Sequence, residues 1–491
     1  MKALLLIPPG GHYAERWRHG VLVPPLGVAY LAGVLIEMGI GVEVLDAHVE
    51  RLSWRGLRRE FLSRKPDVVG VSFTTEARFE AFRAIKMARD ILRGAFLVAG
   101  GPHASLTADE TLRHLPELDA IVRGEGEYTL RGLVQKISER NDFSSVLGLS
   151  FRDGDQIIHN PDRPVISDLD TLPFPCRDAL RLHAYNFHVD VPGEGMLPAA
   201  SLVTSRGCPS GCCFCASSAM WGPCVRLLSP KRIMEEIVHV TKRYGVRFIW
   251  FFDDVFTHRR DRVKEICDLL RQYRPEIRWF CEARVNDLDR DLLSIMRDAG
   301  CRRLGLGIES GSEKVLDSVF RKRVDLGQAR SILEWCDQLG IIAHPFFILS
   351  LPGEEWDDAK QTMAFIRGLS NRHEPSLSLA RVYPGTKLEY LARANGTIPQ
   401  GFSWTLNSRR AATFPGQGNV PVFLDRLSWA QLSELLAEWI EIRRGASLRH
   451  LHQVIRHVRS WHDIRCCLRA GVSLLRRRAK HLSQLEAWSR R

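Results

Sequence analysis

Short buried-strand patterns alternate with helical patterns twice along this chain, first in residues 1–140 and again from about residue 198. In the first block, apolar runs such as Lys2–Ile7 and Val68–Ser72 flank helical patterns such as Phe79–Leu92. Strands that are joined through helices pair in parallel, so this order predicts a doubly wound α/β sheet. Ligands of such sheets bind in the loops beyond the carboxyl ends of the strands, where we therefore seek the site.

The second block, residues 198–420, predicts six strand–helix units, from the strand Ser201–Thr204 to the strand Ser376–Val382. Right-handed crossovers would bring the loops after these strands to one mouth. Between the blocks, residues 141–197 predict a small hairpin followed by a proline-rich linker. Residues 421–491 predict a basic, helical extension.

The bulk composition is that of a globular protein, with 45% hydrophobic and 26% charged residues over 491 positions. No apolar run reaches the ~18 residues that span a bilayer. Twelve cysteines without a secretory signal favour a reducing, cytoplasmic setting over a disulfide framework. Most of the net charge of +12 lies in the last fifty residues, and aromatic residues do not interleave with the basic ones. We therefore expect no nucleic-acid partner.

Five of the twelve cysteines lie in one stretch, residues 206–224. Three of them are spaced C-x3-C-x2-C, with an aromatic residue before the third: Cys208, Cys212, Phe214 and Cys215. Thiolates suit iron–sulfur clusters and zinc, but zinc usually takes two separated pairs of ligands. Three thiolates in one loop favour a 4Fe–4S cluster with one iron open, and a zinc knot completed by Cys224 is the alternative. Cys213 is predicted to be a buried small residue.

This cysteine spacing resembles that of the radical S-adenosylmethionine (SAM) enzymes. The segments PPLGVAYLAGVL, LDAH, VGVSF, GGPHAS and VRGEGE resemble, in the same order, the cobalamin-binding domain that precedes some radical SAM domains. The resemblance covers about residues 1–400. It implies a Rossmann-like cobalamin-binding domain, then a partial (β/α)6 barrel, and three cofactors: a 4Fe–4S cluster, SAM and cobalamin.

The resemblance implies that the three cysteines of the motif hold the cluster and that residues at successive strand ends of the second block contact SAM. These are Phe214 beside the cluster, Asp253 and Asp254 for the amino group, Arg284 for the carboxylate, Glu309 for ribose and methionine groups, and Ile348 on the adenine-contacting strand. Ser350 stands where the family usually has glycine, and we expect its hydroxymethyl group to narrow the adenine space.

The expected cobalamin contacts lie in the loops after the second to fifth strands: Asp46, His48, Ser72, Thr74, Gly100, Gly101, His103, Gly124 and Glu125. Glycines at these ends would let backbone approach a large, flat ligand. The family motif D-x-H-x-x-G supplies a histidine to cobalt, but Arg51 replaces its glycine here. We therefore do not assign His48 as the axial ligand.

The implied activity is methylation of an unactivated carbon of a small-molecule or natural-product substrate. SAM is cleaved to a 5′-deoxyadenosyl radical that abstracts hydrogen, cobalamin delivers methyl, and a protein such as flavodoxin or ferredoxin supplies the electron. An oxidative ring closure, as in the anaerobic magnesium-protoporphyrin ester cyclases, is the alternative. A non-enzymatic cobalamin or redox sensor is a more distant one.

The segment Leu427–Arg444 is amphipathic, with an apolar stripe that includes Leu432 and Trp439. It predicts a helical cap on the barrel. A contact of the basic face with a membrane surface stays open as the second interpretation.

Overall fold

The protein, described here by a computed structural model, contains two seven-stranded sheets in tandem. The structure describes residues 1–9, 22–139, 142–273, 276–319, 324–406 and 420–457, with side chains up to residue 443. The basic residues predicted to lie on further tail helices, from position 444 onward, are outside the described side chains.

The first sheet has the strand order β2-β1-β3-β4-β5-β6-β7. Its strands are β1 (Lys2–Ile7), β2 (Gly41–Asp46), β3 (Val68–Ser72), β4 (Phe96–Gly100), β5 (Ala120–Val122), β6 (Leu149–Asp153) and β7 (Gln156–His159). The first five are parallel, whereas β6 and β7 add on as an antiparallel hairpin. The sequence interpretation placed this hairpin in the linker, but its backbone pairs with β5, so it extends the first sheet.

Helices cover both faces of the first sheet: α1 (Leu26–Glu37), α2 (Trp54–Arg64), α3 (Arg78–Ile91), α4 (Pro102–Leu106), α5 (Ala108–His114) and α6 (Gly126–Glu139). Successive side chains of a strand point to opposite faces. Accordingly, Leu5 packs with α1 and α6, whereas Leu4 and Leu6 pack with α2, α3 and α5. This confirms the doubly wound α/β fold.

The second sheet has the order β16-β15-β14-β13-β12-β9-β8 and curls into a half-barrel. Its strands are β8 (His188–Val191), β9 (Gly195–Leu202), β12 (Phe248–Phe251), β13 (Arg278–Arg284), β14 (Cys301–Glu309), β15 (Ile342–Leu349) and β16 (Ser376–Leu379). The last six are parallel, which confirms the partial (β/α)6 architecture. The antiparallel edge strand β8 was not predicted. A separate two-stranded hairpin joins β10 (Ser205–Arg206) to β11 (Arg226–Leu227).

The remaining helices are α7 (Leu182–Tyr185), α8 (Ser217–Trp221), α9 (Pro230–Tyr244), α10 (Arg260–Gln272), α11 (Arg290–Asp298), α12 (Glu313–Val319), α13 (Leu326–Leu339), α14 (Trp356–Arg367), α15 (Lys387–Ala394) and α16 (Trp429–His457). The bounds of α9 match the sequence prediction because its ends carry clear signals. Ser229 caps its start, and Gly245 ends it in the left-handed conformation.

The described part of the tail packs onto the half-barrel. Leu432 and Leu435 of α16 are buried in the same apolar cluster as the barrel core, and Trp439 joins them. Burying each such side chain contributes ~1.5–3 kcal/mol. This confirms the predicted cap for the described residues. None of the helices within the described ranges is long and apolar enough to cross a membrane.

Candidate active site

The cysteine stretch forms the loop of the hairpin β10–β11. Gly207 enters the loop with φ of +99°, where a Cβ would overlap the carbonyl oxygen of Cys224 at the other end. Only glycine fits so close an approach without strain. The two ends of the loop are therefore held together, and the motif cysteines lie on a short, closed segment.

The five cysteines of the loop differ in burial, and Cys224 is exposed. Cys208, Cys212 and Cys215 are partly exposed, whereas Cys213 is buried among barrel residues. The carbonyl of Cys213 accepts a hydrogen bond of 2.8 Å from the Leu388 backbone N–H, and burial raises the pKa of its thiol to about 11. This arrangement confirms Cys213 as a packing residue and leaves the three motif thiols on the open side of the loop.

Cys215 lies where the predicted SAM residues also gather. Burial raises the pKa of its thiol to about 11, and the nearby Asp254, Cys208 and Glu309 act in the same direction. The backbone N–H of Ser217 points at Cys215 Sγ, 3.5 Å away. The cysteine loop, the end of β12 and the end of β14 therefore lie close together. We call this region, marked by Cys215, Asp254 and Glu309, the mouth of the half-barrel.

The exposure of Cys224 bears on whether the loop holds a cluster or a single zinc ion. In the described part of the chain, no three histidine, cysteine or acidic side chains are placed to hold one metal ion. A zinc knot needs four ligands around one ion, and Cys224, its proposed fourth ligand, is exposed. The three-cysteine loop fits an iron–sulfur cluster better, because thiolates of a cluster bind separate irons.

The two predicted aspartates after β12 have different roles. Asp253 is buried, and its carboxylate accepts hydrogen bonds from the Thr204 backbone N–H, at 2.6 Å, and from the Thr204 hydroxyl. Its expected contact with SAM is not supported by this geometry, because each oxygen accepts a hydrogen bond from Thr204 at the start of the cysteine hairpin. Asp254 reaches the mouth and accepts a hydrogen bond from Ser217 Oγ at 2.5 Å. Although solvent reaches Asp254, the surrounding protein raises its pKa.

Arg284 and Glu309 end neighbouring strands, β13 and β14. The Nε of Arg284 is buried without a hydrogen-bond partner among the described residues, and Asp287 Oδ2 lies 3.9 Å away. Glu309 has φ of +74°, and the pairing of β14 with β15 shifts register beside it. Non-glycine residues in this conformation cost ~1–3 kcal/mol and are concentrated at functional sites.

The SAM-side residues Phe214 and Ile348 are partly buried and pack against the barrel core. Ser350, in the same segment as Ile348, has φ of +65°, which explains why a glycine suits this position. Its hydroxyl donates to the carbonyl of Phe423 at 2.5 Å. The expectation that Ser350 narrows an adenine space is therefore wrong, because its side chain is directed at the C-terminal segment.

On the first sheet, Asp46 ends β2 and accepts hydrogen bonds from the Val49 N–H at 3.0 Å and the Tyr185 hydroxyl at 2.9 Å. His48 follows on a partly exposed turn. Arg51, at the position of the motif glycine, has φ of +55°. The turn of the D-x-H-x-x-G motif is thus retained even though its glycine is absent.

The backbone segments that follow β3 and β4 lie very close to each other. Ser72, Thr74 and Gly100 are partly exposed there. Gly101 has φ of +89°, and a Cβ at Gly101 would lie 2.8 Å from the carbonyl oxygen of Phe73. This crowding by the protein's own backbone leaves room for glycine only.

His103 is not at the surface of a loop. It is fully buried, its Nδ1 lies 3.1 Å from Thr75 Oγ1, and its ring packs against Phe73 and Trp404. Burial lowers its pKa far below the usual value, so the ring is neutral. The expectation that His103 contacts cobalamin is not supported by this geometry, because the side chain is buried in the protein interior.

Gly124 lies at the end of β5, where its N–H donates to Ser105 Oγ at 3.0 Å. Glu125 is buried. It accepts hydrogen bonds from Arg206 at 2.6 Å and from Arg226 at 2.7 Å, and Glu127 accepts one from Arg206 at 2.6 Å. The expected contact between Glu125 and cobalamin is not supported by this geometry, because both oxygens are paired with arginines.

Arg206, Arg226 and Glu127 are site-supporting residues that the sequence interpretation missed. Burial would lower the pKa of the Arg206 guanidinium, but Glu127 and Glu125 together raise it. The only sequence signal was the pair of carboxylates in VRGEGE and the arginine two residues before Cys208. Their pairing needed the tertiary structure, because about 80 residues separate the partners.

Comparisons with known proteins agree with this architecture. The radical SAM superfamily model matches residues 202–366, and the B12 binding domain model matches residues 19–134. A structure of the radical SAM methyltransferase TsrM from Kitasatospora setae, with cobalamin and a [4Fe-4S] cluster bound, has a TM-score of 0.69. It is 19% identical and covers 89% of this chain and 90% of its own. At that identity the likeness establishes the fold.

One relative carries the family assignment, and a second, matched over a smaller part of its length, agrees with it. An uncharacterized methyltransferase of Pyrococcus horikoshii is 33% identical over 437 residues, covering 89% of this chain and 91% of the relative. An anaerobic magnesium-protoporphyrin IX monomethyl ester cyclase of Cereibacter sphaeroides is 30% identical over 72% of this chain, which spans 57% of the cyclase. This chain therefore belongs to the cobalamin-binding radical SAM enzymes, whose cofactors are a 4Fe–4S cluster, SAM and cobalamin.

Proposed function

We propose that this chain is a methyltransferase that uses SAM and cobalamin to methylate an unactivated carbon of a small-molecule substrate. The observation that carries the proposal is the link between the cysteine loop and Asp254: the Ser217 N–H lies 3.5 Å from Cys215 Sγ, and the Ser217 hydroxyl donates to Asp254 at 2.5 Å. The relative that matches almost the whole chain is itself named a methyltransferase, which supports the same reaction class.

Cys208, Cys212 and Cys215 would hold the cluster, one iron each. When bound, the reduced cluster supplies the electron that cleaves SAM to a 5′-deoxyadenosyl radical, and cobalamin supplies the methyl group. The chain positions these groups and excludes water. Cys213 keeps the loop seated on α15 through its carbonyl.

For SAM, we assign the ammonium group to Asp254 rather than to Asp253, because Asp254 is the carboxylate at the mouth. Arg284 carries a buried guanidinium nitrogen that needs an acceptor, and the SAM carboxylate is a suitable one. Glu309 is held in a strained conformation at the end of β14, where it can accept from ribose hydroxyls or the ammonium. Phe214 and Ile348 would supply apolar contact.

For cobalamin, we propose binding mainly by backbone and shape. Gly100, Gly101 and Gly124 lie at strand ends with Ser72 and Thr74, where a flat ring can approach the backbone closely. Asp46 holds the turn that carries His48. His48 is assigned to the rim of this site and not to cobalt.

Methyl transfer is tested by giving the reconstituted enzyme SAM with a deuterated methyl group, together with candidate substrates and a one-electron reductant such as flavodoxin. The proposal predicts a deuterated methyl group in the product, with one 5′-deoxyadenosine and one S-adenosylhomocysteine formed per turnover. A product without that methyl group, and no S-adenosylhomocysteine, would overturn it.

The second candidate function is an oxidative ring closure. The 30% identity to the Cereibacter sphaeroides cyclase favours it, although this chain spans little more than half of that protein. The same labelling experiment separates the two, because ring closure places no methyl group in the product.

A further inference from the structure

A buried ion cluster joins the cobalamin-binding domain to the hairpin that carries the cysteine loop. It consists of Glu125 and Glu127, at the start of α6, and Arg206 and Arg226, in β10 and β11. Three ion pairs of 2.6, 2.6 and 2.7 Å connect them, and none of the four side chains is more than 8% exposed. The carboxylates and the arginines come from different domains.

The cluster is placed at the base of the cysteine loop. Arg206 and Arg226 are paired opposite each other across the hairpin, and Arg206 precedes Cys208 by two residues. Side chains directly opposite each other in an antiparallel pair lie close together. Two guanidinium groups in this arrangement repel each other, so the hairpin keeps its shape only with acceptors between them. Glu125 is that acceptor, with one oxygen on each arginine.

Further contacts hold the same residues in one geometry. The Arg206 guanidinium lies 5.7 Å from the ring of Tyr30 on α1 and 5.6 Å from the ring of Trp221, just after the cysteines. Glu125 also accepts from the backbone N–H of Ile166 at 2.7 Å, and Arg226 donates to the carbonyl of the same residue at 2.8 Å. Removing one member of a buried, paired set leaves an uncompensated charge, which is strongly destabilising.

We propose that Glu125 and Glu127 are positioning residues for the iron–sulfur cluster: the cobalamin-binding domain sets the conformation of the loop that carries the cluster cysteines. Radical formation then depends on the first domain, although all the proposed SAM contacts belong to the second. This proposal rests on the assignment of the three cysteines as cluster ligands, and it is independent of whether the product is methylated.

The test compares Glu125→Gln with Glu236→Gln in the full-length chain. Glu236 is a matched control, because it forms a 2.7 Å ion pair with Arg177 whose side chains are 2% and 4% exposed, and this partner lies outside the cysteine hairpin. Each variant removes one carboxylate charge that is ion-paired with buried arginine. Glu127→Gln should have a smaller effect than Glu125→Gln. In Glu127→Gln, Arg206 still forms its ion pair with Glu125, and the ion pair between Arg226 and Glu125 is unchanged.

The first readout is hydrogen exchange of residues 205–227 in the protein without cofactors. Glu125→Gln should raise exchange there at least tenfold, and Glu236→Gln should not. The second readout is electron paramagnetic resonance of the reduced cluster with and without SAM. Glu125→Gln should alter the signal and its response to SAM and slow 5′-deoxyadenosine formation at least tenfold, with cobalamin content within twofold of wild type.

A rescue keeps the test decisive if Glu125→Gln folds poorly. Adding Arg226→Gln to Glu125→Gln removes the surplus cation and should restore part of the cluster signal. The proposal would be overturned if Glu125→Gln showed the same hydrogen exchange and the same electron paramagnetic resonance spectra as the wild type. It would also be overturned if Glu236→Gln changed both by as much as Glu125→Gln does. If wild-type enzyme forms 5′-deoxyadenosine but no methylated product, the methyltransferase proposal fails and the positioning role is unaffected.

Discussion

The two sheets use the carboxyl ends of their strands differently. At the second sheet, the predicted residues Cys215, Asp254 and Glu309 gather at one mouth. At the first sheet, two of the predicted side chains are already engaged by the protein itself, His103 in the core and Glu125 in the ion cluster. Small polar groups and irons must be bound by side chains, whereas a large flat cofactor can be held by backbone and shape.

This difference explains which role a motif residue has in each region, ligand or structural support. In the second region, we assign the motif cysteines as ligands because thiolates bind the irons of such clusters, although the motif residue Asp253 supports the hairpin there. In the first region, a motif residue can instead support a turn or an interface, as Asp46 and Glu125 do. The predictions below test this contrast.

The largest effect is expected at the motif cysteines. Changing Cys208, Cys212 or Cys215 to alanine removes an iron ligand, so the brown chromophore and SAM cleavage should both be lost, by at least a hundredfold in rate. Cys213→Ala should retain both, since its side chain only packs. Iron and sulfide content and 5′-deoxyadenosine formation measure the result. A dispensable Cys215 together with an essential Cys213 would contradict the assignment.

The next effect separates the adjacent aspartates. Asp254→Asn should weaken SAM binding by ~10–100-fold, because a charge-assisted hydrogen bond is worth ~1.5–3 kcal/mol. Asp253→Asn should instead lower the free energy of unfolding by ~1–3 kcal/mol, because the Thr204 contacts are weakened. Equilibrium SAM binding and denaturant unfolding distinguish the two. If Asp253→Asn weakened SAM binding and Asp254→Asn lowered only the free energy of unfolding, Asp253 would be the SAM ligand.

At the first sheet, histidine substitutions should change cobalamin binding little. His48→Ala should leave cobalamin bound within about threefold in affinity, since the side chain is not assigned to cobalt. His103→Leu should alter stability more than affinity, because the ring is neutral and buried. Electron paramagnetic resonance of the cob(II)alamin form checks axial coordination. Loss of an axial nitrogen signal in either variant would make that histidine a cobalt ligand.

The smallest difference concerns pH. Glu125 is buried but has two arginine partners. Glu354, which follows β15, is also buried, and this burial raises its pKa to about 8. A carboxyl whose folded pKa is raised stabilises the fold fully below its unfolded pKa of 4.5, and this contribution is lost as pH rises to about 8. Glu354→Gln should therefore gain stability relative to wild type, progressively from pH 5 to pH 8. A pH-independent difference between the two unfolding curves would contradict this.

The sequence predicted strands and helices well where local signals agree, as at β3 and α9. It missed β8 and assigned β6 and β7 to a linker, because edge strands pair through backbone and carry weak patterns. The cysteine motif was recognised from its spacing, and its role as the set of cluster ligands stays a prediction. The roles of Asp253, His103 and Glu125 did not, because burial and long-range hydrogen bonds decide them, and those depend on residues distant in sequence.

The central claim is that cofactors held by both domains act on one substrate: the cluster and SAM start the radical reaction without cobalamin, and cobalamin is needed to complete it. The most direct measurement reconstitutes full-length enzyme with the cluster, with and without cobalamin, and follows products from deuterated SAM. We expect 5′-deoxyadenosine in both samples but a methylated product only with cobalamin, because a short-lived radical must form close to its methyl donor. Equal yields of methylated product in both samples would contradict the account.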